Sequence, residues 1–150
     1  MKKLLVLLFS LLISFNSYGF FGLFEKTICV ETDAQERGDI FYLPNETKPF
    51  TGKNLCEYKN GQYKSEGKYK NGKKDGKWTT WFENGQIDFG ENYKDGNLIG
   101  ETKYSYHDNG QKWFEQNYKD DKPIGKHTQW YENGQIKYEE NYKDGKLDGK

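Results

Sequence analysis

The sequence predicts an all-β protein, an open antiparallel sheet built from tandem β-hairpin repeats of about 24 residues. Three observations lead to this prediction: a repeat that begins at Gly52, two turn signals in every copy, and a composition rich in both aromatic and charged residues. The 150 residues include 4 Trp, 12 Tyr and 10 Phe, while 31% are charged and the mean hydropathy is −1.10. Such a chain is too polar for a membrane-embedded protein and too aromatic for a disordered one.

The charges of the chain balance, with 23 basic and 23 acidic residues. Proteins that bind nucleic acids or anionic membranes without sequence or lipid specificity depend on an excess of positive charge. We therefore expect neither a nucleic-acid partner nor a general attraction to membranes.

The first 19 residues read as a secretory signal peptide. Two lysines precede an apolar run over residues 4–15, and the small residues Ser17 and Gly19 stand at the −3 and −1 positions of a cleavage site. Twelve apolar residues in a helix reach only about 18 Å, short of a hydrocarbon core of about 30 Å, so a stable membrane anchor is not expected. The sequence predicts cleavage after Gly19 and export to the periplasm or the medium.

Export makes the two cysteines informative, because oxidising compartments permit disulfides. A disulfide between Cys29 and Cys56 is expected, and two inert thiols are the alternative, since the sequence does not show whether the two Cα atoms come within about 7 Å. No two Cys or His residues are spaced as zinc ligands are. Neither a metal nor a cofactor is therefore predicted.

Self-similarity divides the mature chain into a leading segment over residues 20–51, with a partial repeat, and a repeat array over residues 52–150. The four copies of the array span residues 52–75, 76–99, 100–124 and 125–148, and residues 149–150 begin a fifth. A fixed period of this length is typical of supersecondary units that bury their apolar surface only against one another.

Each copy is predicted to be a β-hairpin with two reversals of the chain. The first turns contain Asn60-Gly61, Asn84-Gly85, Asn109-Gly110 and Asn133-Gly134, the dipeptide favoured in two-residue type I′ turns. The second turns contain Asn71-Gly72, Asp95-Gly96, Asp120-Asp121 and Asp144-Gly145. Helix content outside the signal peptide is expected to be near zero, because no segment has apolar residues at helical spacing.

A two-residue turn at Asn84-Gly85 predicts which side chains share a face. Phe82 is expected opposite Ile87, and Gly76 opposite Tyr93 with the tyrosine ring over the glycine. We predict that this face is the core and that it carries a ladder of tyrosines, namely Tyr69, Tyr93, Tyr118 and Tyr142.

The other face is predicted to be charged, with an aromatic stripe as its exception. The third copy has one extra residue, interpreted as a β-bulge before its turn, which would bring Tyr106 and Trp113 onto this face and His107 and Lys112 onto the core face. The candidate partner-binding residues are therefore Trp81, Tyr106, Trp113 and Trp130. The alternative is that the stripe is packing within a thin sheet, or is covered by residues 20–50.

The repeats resemble the bacterial variant of the MORN repeat, found in proteins described as YwqK-family antitoxins. The motifs that carry the resemblance are W-F-E-N-G-Q (81–86), W-Y-E-N-G-Q (130–135), N-Y-K-D-G (92–96 and 141–145) and G-K-W (76–78), and residues 42–53 resemble the opening of such arrays. The resemblance implies a curved antiparallel sheet that binds rather than catalyses. The third copy departs from the pattern at Asp121 and Pro123.

No enzyme is predicted, because the conspicuous polar residues recur with the repeat and flank turns, where Asn and Asp support the backbone. The predicted function is that of an exported, non-enzymatic repeat protein that binds another protein in an antitoxin- or immunity-like role. Binding of a carbohydrate, such as peptidoglycan, through exposed aromatic side chains is the alternative. The last hairpin leaves a sheet edge uncovered, which predicts dimerisation through that edge.

Overall fold

The computed structural model describes residues 25–149, so the predicted signal peptide over residues 1–19 lies outside the described residues. The predicted fold class is confirmed: the chain forms a long, mostly antiparallel open sheet of tandem hairpins. The single helix within residues 25–149 is α1 (Val30–Asp33), one turn long.

Ten of the twelve strands form the main sheet, in the spatial order β1, β4, and then β5 to β12 as they follow along the chain. The short strands β2 and β3 pair with each other, and β1 runs parallel to β4. The strands are β1 (Thr27–Ile28), β2 (Gln35–Glu36), β3 (Phe41–Tyr42), β4 (Gly52–Glu57), β5 (Tyr63–Lys70), β6 (Lys73–Trp81), β7 (Ile87–Lys94), β8 (Asn97–Tyr106), β9 (Lys112–Lys119), β10 (Lys122–Trp130), β11 (Ile136–Lys143) and β12 (Lys146–Leu147).

The first turn of each hairpin is a three-residue loop, not the predicted two-residue type I′ turn. In the second hairpin Gly85 N donates to Phe82 O at 2.9 Å and Phe82 N donates to Gln86 O at 2.8 Å. Within the loop only Gly85 has a positive φ, of 84°. Asn84 keeps a negative φ and its Oδ1 accepts a hydrogen bond from Gln86 N at 3.0 Å, which is a type I turn followed by a glycine bulge.

The mirror-image turns occur instead at the second reversals. Asp95 and Gly96 both have positive φ, of 50° and 87°, and the flanking residues Lys94 and Asn97 are paired. The third copy keeps this turn without a glycine, because Asp120 and Asp121 take φ values of 49° and 59°.

The longer first turn changes the register near each loop. Ile87 lies opposite Trp81, so the predicted pairing with Phe82 is wrong, and Phe82 follows the strand in the turn. The predicted pairing of Gly76 with Tyr93 is confirmed. However, no heavy atom of the described residues beyond its chain neighbours lies within 4 Å of a Cβ built on Gly76, so no tyrosine ring covers it. Gly76 is required by its φ of 80°.

The core lies on the face predicted for it, but only the first two hairpins are covered. Val30 and Phe50 of the leading segment pack with Tyr69 and Trp78, and these four side chains are buried. The Tyr69 and Trp78 rings meet edge to face at a centroid distance of 5.1 Å. Along the predicted ladder Tyr69 alone is buried, and the tyrosines of the later hairpins are half-buried.

A disulfide fastens the leading segment to the sheet. Cys29 and Cys56 are bonded, with their Cα atoms 4.6 Å apart. Beside them the buried Asn54 accepts a hydrogen bond from Val30 N at 2.9 Å through its Oδ1. The edge of β4 is therefore protected over the residues that β1 and α1 contact.

The extra residue of the third copy is not accommodated before its turn. All four hairpins have the same register shift next to the first turn, including the one between Ser105 and Tyr106, so that shift is not caused by the insertion. The third copy differs instead at the start of β8, which has 10 residues where β6 and β10 have 9. The register there shifts by one residue against β7, around Ile99. The predicted position of the bulge is therefore wrong.

Neighbouring hairpins are joined by two different sets of hydrogen bonds. From the first hairpin to the second, Tyr58 Oη donates to Trp81 O at 2.7 Å and Asn60 Nδ2 donates to Glu83 O at 2.8 Å. The third and fourth hairpins repeat this arrangement through His107 and Asn109. Between the second and third hairpins, across β7 and β8, Gln86 Nε2 donates to Gly110 O at 2.8 Å and Tyr106 Oη donates to Ile87 O at 2.9 Å.

Candidate binding surface

The face opposite the core carries a continuous line of mostly apolar side chains beside the first turns. We call it the cross-strand row, because β5 to β11 contribute one residue each. Its members are Tyr63, Trp81, Ile87, Tyr106, Lys112, Trp130 and Ile136.

Pairing and contacts place these residues on one face. Directly opposed residues of antiparallel strands share a face, and the opposed pairs are Trp81 with Ile87, Tyr106 with Lys112, and Trp130 with Ile136. The Tyr63 and Trp81 rings lie 6.0 Å apart, and Tyr106 Oη bonds to the carbonyl of Ile87. Lys112 Nζ lies 5.2 Å from the Trp130 ring. The line is therefore continuous across seven strands.

Three of the four residues predicted as a stripe belong to the row. Trp81, Tyr106 and Trp130 are members. Trp113 is not paired across the strands with Tyr106 and lies beside the row, where it lines one groove with Trp130. Trp113 is the residue displaced by the register shift next to the turn, and Lys112 takes the place opposite Tyr106. The predicted assignment of Lys112 to the core face is therefore wrong.

The sequence interpretation missed four members of the row, namely Tyr63, Ile87, Lys112 and Ile136. Each of them stands three residues after the Asn of its first turn. A three-residue loop at the first turn places these positions opposite the last residue of the preceding strand, such as Trp81, whereas a two-residue turn does not. The spacing of these residues after the turn asparagine is thus present in the sequence, and the predicted turn type is what placed them on the wrong face.

The row is partly accessible, because its two end members are exposed and the five members between them are half-buried. Its end members are the most exposed, Tyr63 at 49% and Ile136 at 53%. The buried contacts of the leading segment are with Tyr69 and Trp78 on the opposite face, so residues 25–50 do not cover the row. Beside Trp130 lies a shallow groove of about 450 Å³, lined in part by Trp113, Tyr131 and Lys137.

Charges near the row are unevenly balanced. Lys112 is paired with Glu115, with Nζ 2.7 Å from Oε2. At the tips of the first turns, Glu83, Asp108 and Glu132 are exposed. Within residues 25–149 none of these three carboxylates has a cationic nitrogen within 4.0 Å. The turn side of the row therefore presents three uncompensated negative charges, one in each of the second, third and fourth hairpins, whereas the first hairpin has Lys59 at the equivalent position.

Burial raises the pKa of the Tyr104 and Tyr106 phenols above the usual value. Both phenols are therefore neutral at physiological pH. The Tyr106 hydroxyl is engaged by Ile87 O, so the ring presents its apolar faces and edges to a ligand.

The histidine next to the row has a structural partner, and the described residues hold no metal cluster beside it. His107 Nε2 lies 2.9 Å from Trp130 O and so has a structural contact. Residues 25–149 contain no group of three or more His, Cys, Asp or Glu side chains placed to hold a metal ion. The same residues include no helix with the length and apolar character needed to cross a bilayer. The surface is suited to contact and to hydrogen bonding.

The fold and this surface define a tandem-repeat protein, in which identical hairpins form one layer with an extended lateral surface. The family model described as the MORN repeat variant matches residues 74–95, 102–120 and 123–144. These matches fall on the second, third and fourth hairpins, which are thus similar to MORN-variant repeats. Such repeats are often involved in binding, and their family is not an enzyme family. No curated protein and no solved structure matches the chain, and so no named relative supports the resemblance to YwqK-family antitoxins.

Proposed function

We propose that this chain is an exported, non-enzymatic binding protein that captures another protein through the cross-strand row. The observation that carries the proposal is the row itself, seven contiguous side chains that include Trp81, Tyr106 and Trp130. Trp and Tyr are enriched among the residues that contribute most to protein–protein affinity. A one-layer sheet leaves the two end members of the row exposed and the five between them half-buried, so each presents part of its surface.

Export is supported by two independent features. The residues before Phe20 have the pattern of a signal peptide, and the Cys29–Cys56 disulfide belongs to the chemistry of oxidising compartments. An immunity-like role is the special case in which the captured protein is a toxin. That role is tested by co-expression of the chain with the captured protein, which should restore growth.

The test is a crosslinking pull-down from the exported fraction, with the chain from Phe20 onward as bait. Truncating Trp81 and Trp130 together to alanine should weaken capture of the partner by at least about 30-fold, because the loss of even one central aromatic contact costs about 2 kcal/mol or more. The matched control is Phe82→Ala with Tyr131→Ala. These residues directly follow the two tryptophans and lie in the turns rather than in the row. They are exposed, at 44% and 50%, whereas the two tryptophans are half-buried, and Tyr131 also lines the groove beside Trp130.

The variants distinguish binding from packing. Unchanged capture by the tryptophan variant at an unchanged melting temperature would contradict the proposal, and so would a loss of capture that merely follows a loss of folding. Equal losses in both variants would move the site from the row to the turn tips. Carbohydrate binding predicts instead a change in tryptophan fluorescence with soluble glycans or peptidoglycan fragments.

A further inference from the structure

We infer that the row accepts an amphipathic α-helix of the partner, whose apolar residues recur at heptad spacing and whose flank toward the first turns carries Lys or Arg. This inference rests on the proposed function, because it specifies the kind of protein segment that the row binds. Three features of the row carry it: its direction, its period and its charge.

The row runs across the strands, so its period is set by the distance between hairpins. Neighbouring strands lie about 4.8 Å apart, and equivalent residues of successive hairpins therefore lie about 10 Å apart. Trp81 and Trp130 occupy equivalent positions two hairpins apart, which corresponds to about 19 Å along the row. Tyr106 stands between them, in the equivalent position of the third hairpin.

A helix matches this period better than an extended chain does. Seven residues of α-helix advance about 10.5 Å, so heptad-spaced side chains follow the hairpins nearly in step. An extended peptide places side chains on one face about 6.8 Å apart, which falls out of step with the row after one hairpin. Recognition of a helix through apolar anchors at i, i+3, i+4 and i+7 is a recurrent mode of peptide binding.

Charge fixes the chemistry of the helix flank. Glu83, Asp108 and Glu132 stand at the tips of the first turns in the second, third and fourth hairpins, one residue before the turn asparagine, and share the period of the row there. They lack ion-pair partners among the described residues, as shown above. The first hairpin has Lys59 at this position, so the basic flank pairs with the last three hairpins. On the other side of the row Glu115 is compensated by Lys112 and Glu139 by Lys126. The unpaired carboxylates there, Asp88 beside Ile87 and Glu57 opposite Tyr63, do not recur from hairpin to hairpin as the turn-tip carboxylates do. A basic flank on the turn side therefore gains three ion pairs, and an acidic flank meets repulsion.

The test uses three synthetic 22-residue peptides and the tryptophan fluorescence of the chain from Phe20 onward. The first peptide is helical, with heptad-spaced Leu and a flank of Lys; the second has Glu on that flank; the third repeats the first with two central prolines that break the helix. We expect the first to bind at least about tenfold more tightly than either of the others, since each exposed ion pair contributes modestly and three act together. Proline removes the helix without removing its charge.

Charge reversal locates the effect. The variant Glu83→Lys, Asp108→Lys, Glu132→Lys should reverse the preference between the Lys-flanked and Glu-flanked peptides. The matched control, Glu36→Lys, Glu46→Lys, Asp148→Lys, makes the same change in net charge at exposed positions away from the row and should leave the preference as it was.

Equal binding of the helical and proline-broken peptides, equal binding of the Lys and Glu peptides, or binding of none of them would overturn the inference. If the preference between the Lys and Glu peptides also reverses in the control variant, net charge alone explains the effect, and this result too would overturn the inference. The proposed function is judged separately, because row-dependent capture in the pull-down does not involve these peptides.

Discussion

Replacing Gly67 by alanine would place a methyl group in space that the Trp78 indole occupies. A Cβ built on Gly67 lies 2.7 Å from Trp78 Cγ and closer to two other atoms of the ring. The ring has little room to move, because Tyr69 packs against it and Lys74 Nζ lies 4.6 Å from its centroid. The φ of Gly67 lies outside the left-handed region, so alanine strains the packing and not the backbone.

The expected loss of stability follows from these contacts. Overpacking in a well-filled core costs about 1–3 kcal/mol. A displaced indole also weakens the hydrogen bond from Trp78 Nε1 to Lys68 O, now 3.2 Å long, and a typical hydrogen bond contributes about 0.5–1.5 kcal/mol. We therefore expect Gly67→Ala to lower the free energy of unfolding by about 2–4 kcal/mol.

Gly90→Ala is the matched control, because Gly90 is also a buried strand glycine outside the left-handed region. Its Cβ would lie 3.8 Å from Thr102 Cβ and from Trp78 O, which is ordinary contact. Here alanine should be neutral or should stabilise by about 0.4–1 kcal/mol. Urea denaturation followed by tryptophan fluorescence measures both variants. Equal stability of the two would refute the packing of Trp78 over the Gly67 backbone.

Four further predictions concern other parts of the molecule. Reducing the Cys29–Cys56 disulfide, which spans 27 residues, should lower the free energy of unfolding by about 3.5 kcal/mol. The stability of the double variant Cys29→Ser, Cys56→Ser should not change when reductant is added. Equal denaturation midpoints of the unmodified chain with and without reductant would contradict the role of the bond. Burial raises the pKa of Tyr69 to about 12, so deprotonation of this phenol is harder in the native state than in the unfolded chain. Its contribution to the free energy of unfolding should be full below about pH 10 and should be lost as the pH rises through about 12. Tyr69→Phe should show a smaller decline, and melting temperatures that fall in parallel for the two proteins above about pH 10 would count against this prediction. Asp121→Gly should raise the free energy of unfolding by about 1 kcal/mol, because Asp121 has a positive φ where the other three turns have glycine. Gly96→Asp should lower it by a similar amount. An unchanged melting temperature in both variants would show that the turn is unstrained. Dimerisation through the edge of β11 stays a prediction, because β12 pairs with this strand only at Tyr142 and Lys143 and leaves the rest of its edge open. Sedimentation tests it, and a monomer at high concentration would exclude it.

The repeat and its hairpins could be predicted because their signals are local. The Asn-Gly and Asp-Gly pairs that recur about every 12 residues mark reversals of the chain, and the pairing of Gly76 with Tyr93 follows from counting between them. Asp75-Gly76 is an exception, because it lies within β6. The turn type could not be predicted from the dipeptide alone. Asn71-Gly72 forms the mirror-image turn, whereas Asn84-Gly85 forms the three-residue loop. Because side chains alternate along a strand, an error of one residue moves a side chain to the other face.

The candidate site was predicted in part for the same reason. Trp81 and Trp130 precede their turns and are placed by simple alternation. Trp113 and Lys112 follow a turn, where the register shift decides which of them faces Tyr106. The coverage of the core by Val30 and Phe50 depends on contacts distant in sequence, which no local pattern specifies.

The alternation of hydrogen bonds between hairpins has a consequence for how the array comes apart. In a linear array, stability is approximately the sum of the stabilities of the units and of their nearest-neighbour interfaces. The bonds of Tyr58 and Asn60 recur at His107 and Asn109, 49 positions later, so the structural period is two hairpins rather than one. An inserted pair of hairpins should therefore lower the melting temperature less than an inserted single hairpin, because only the pair preserves the alternation of the two sets of bonds.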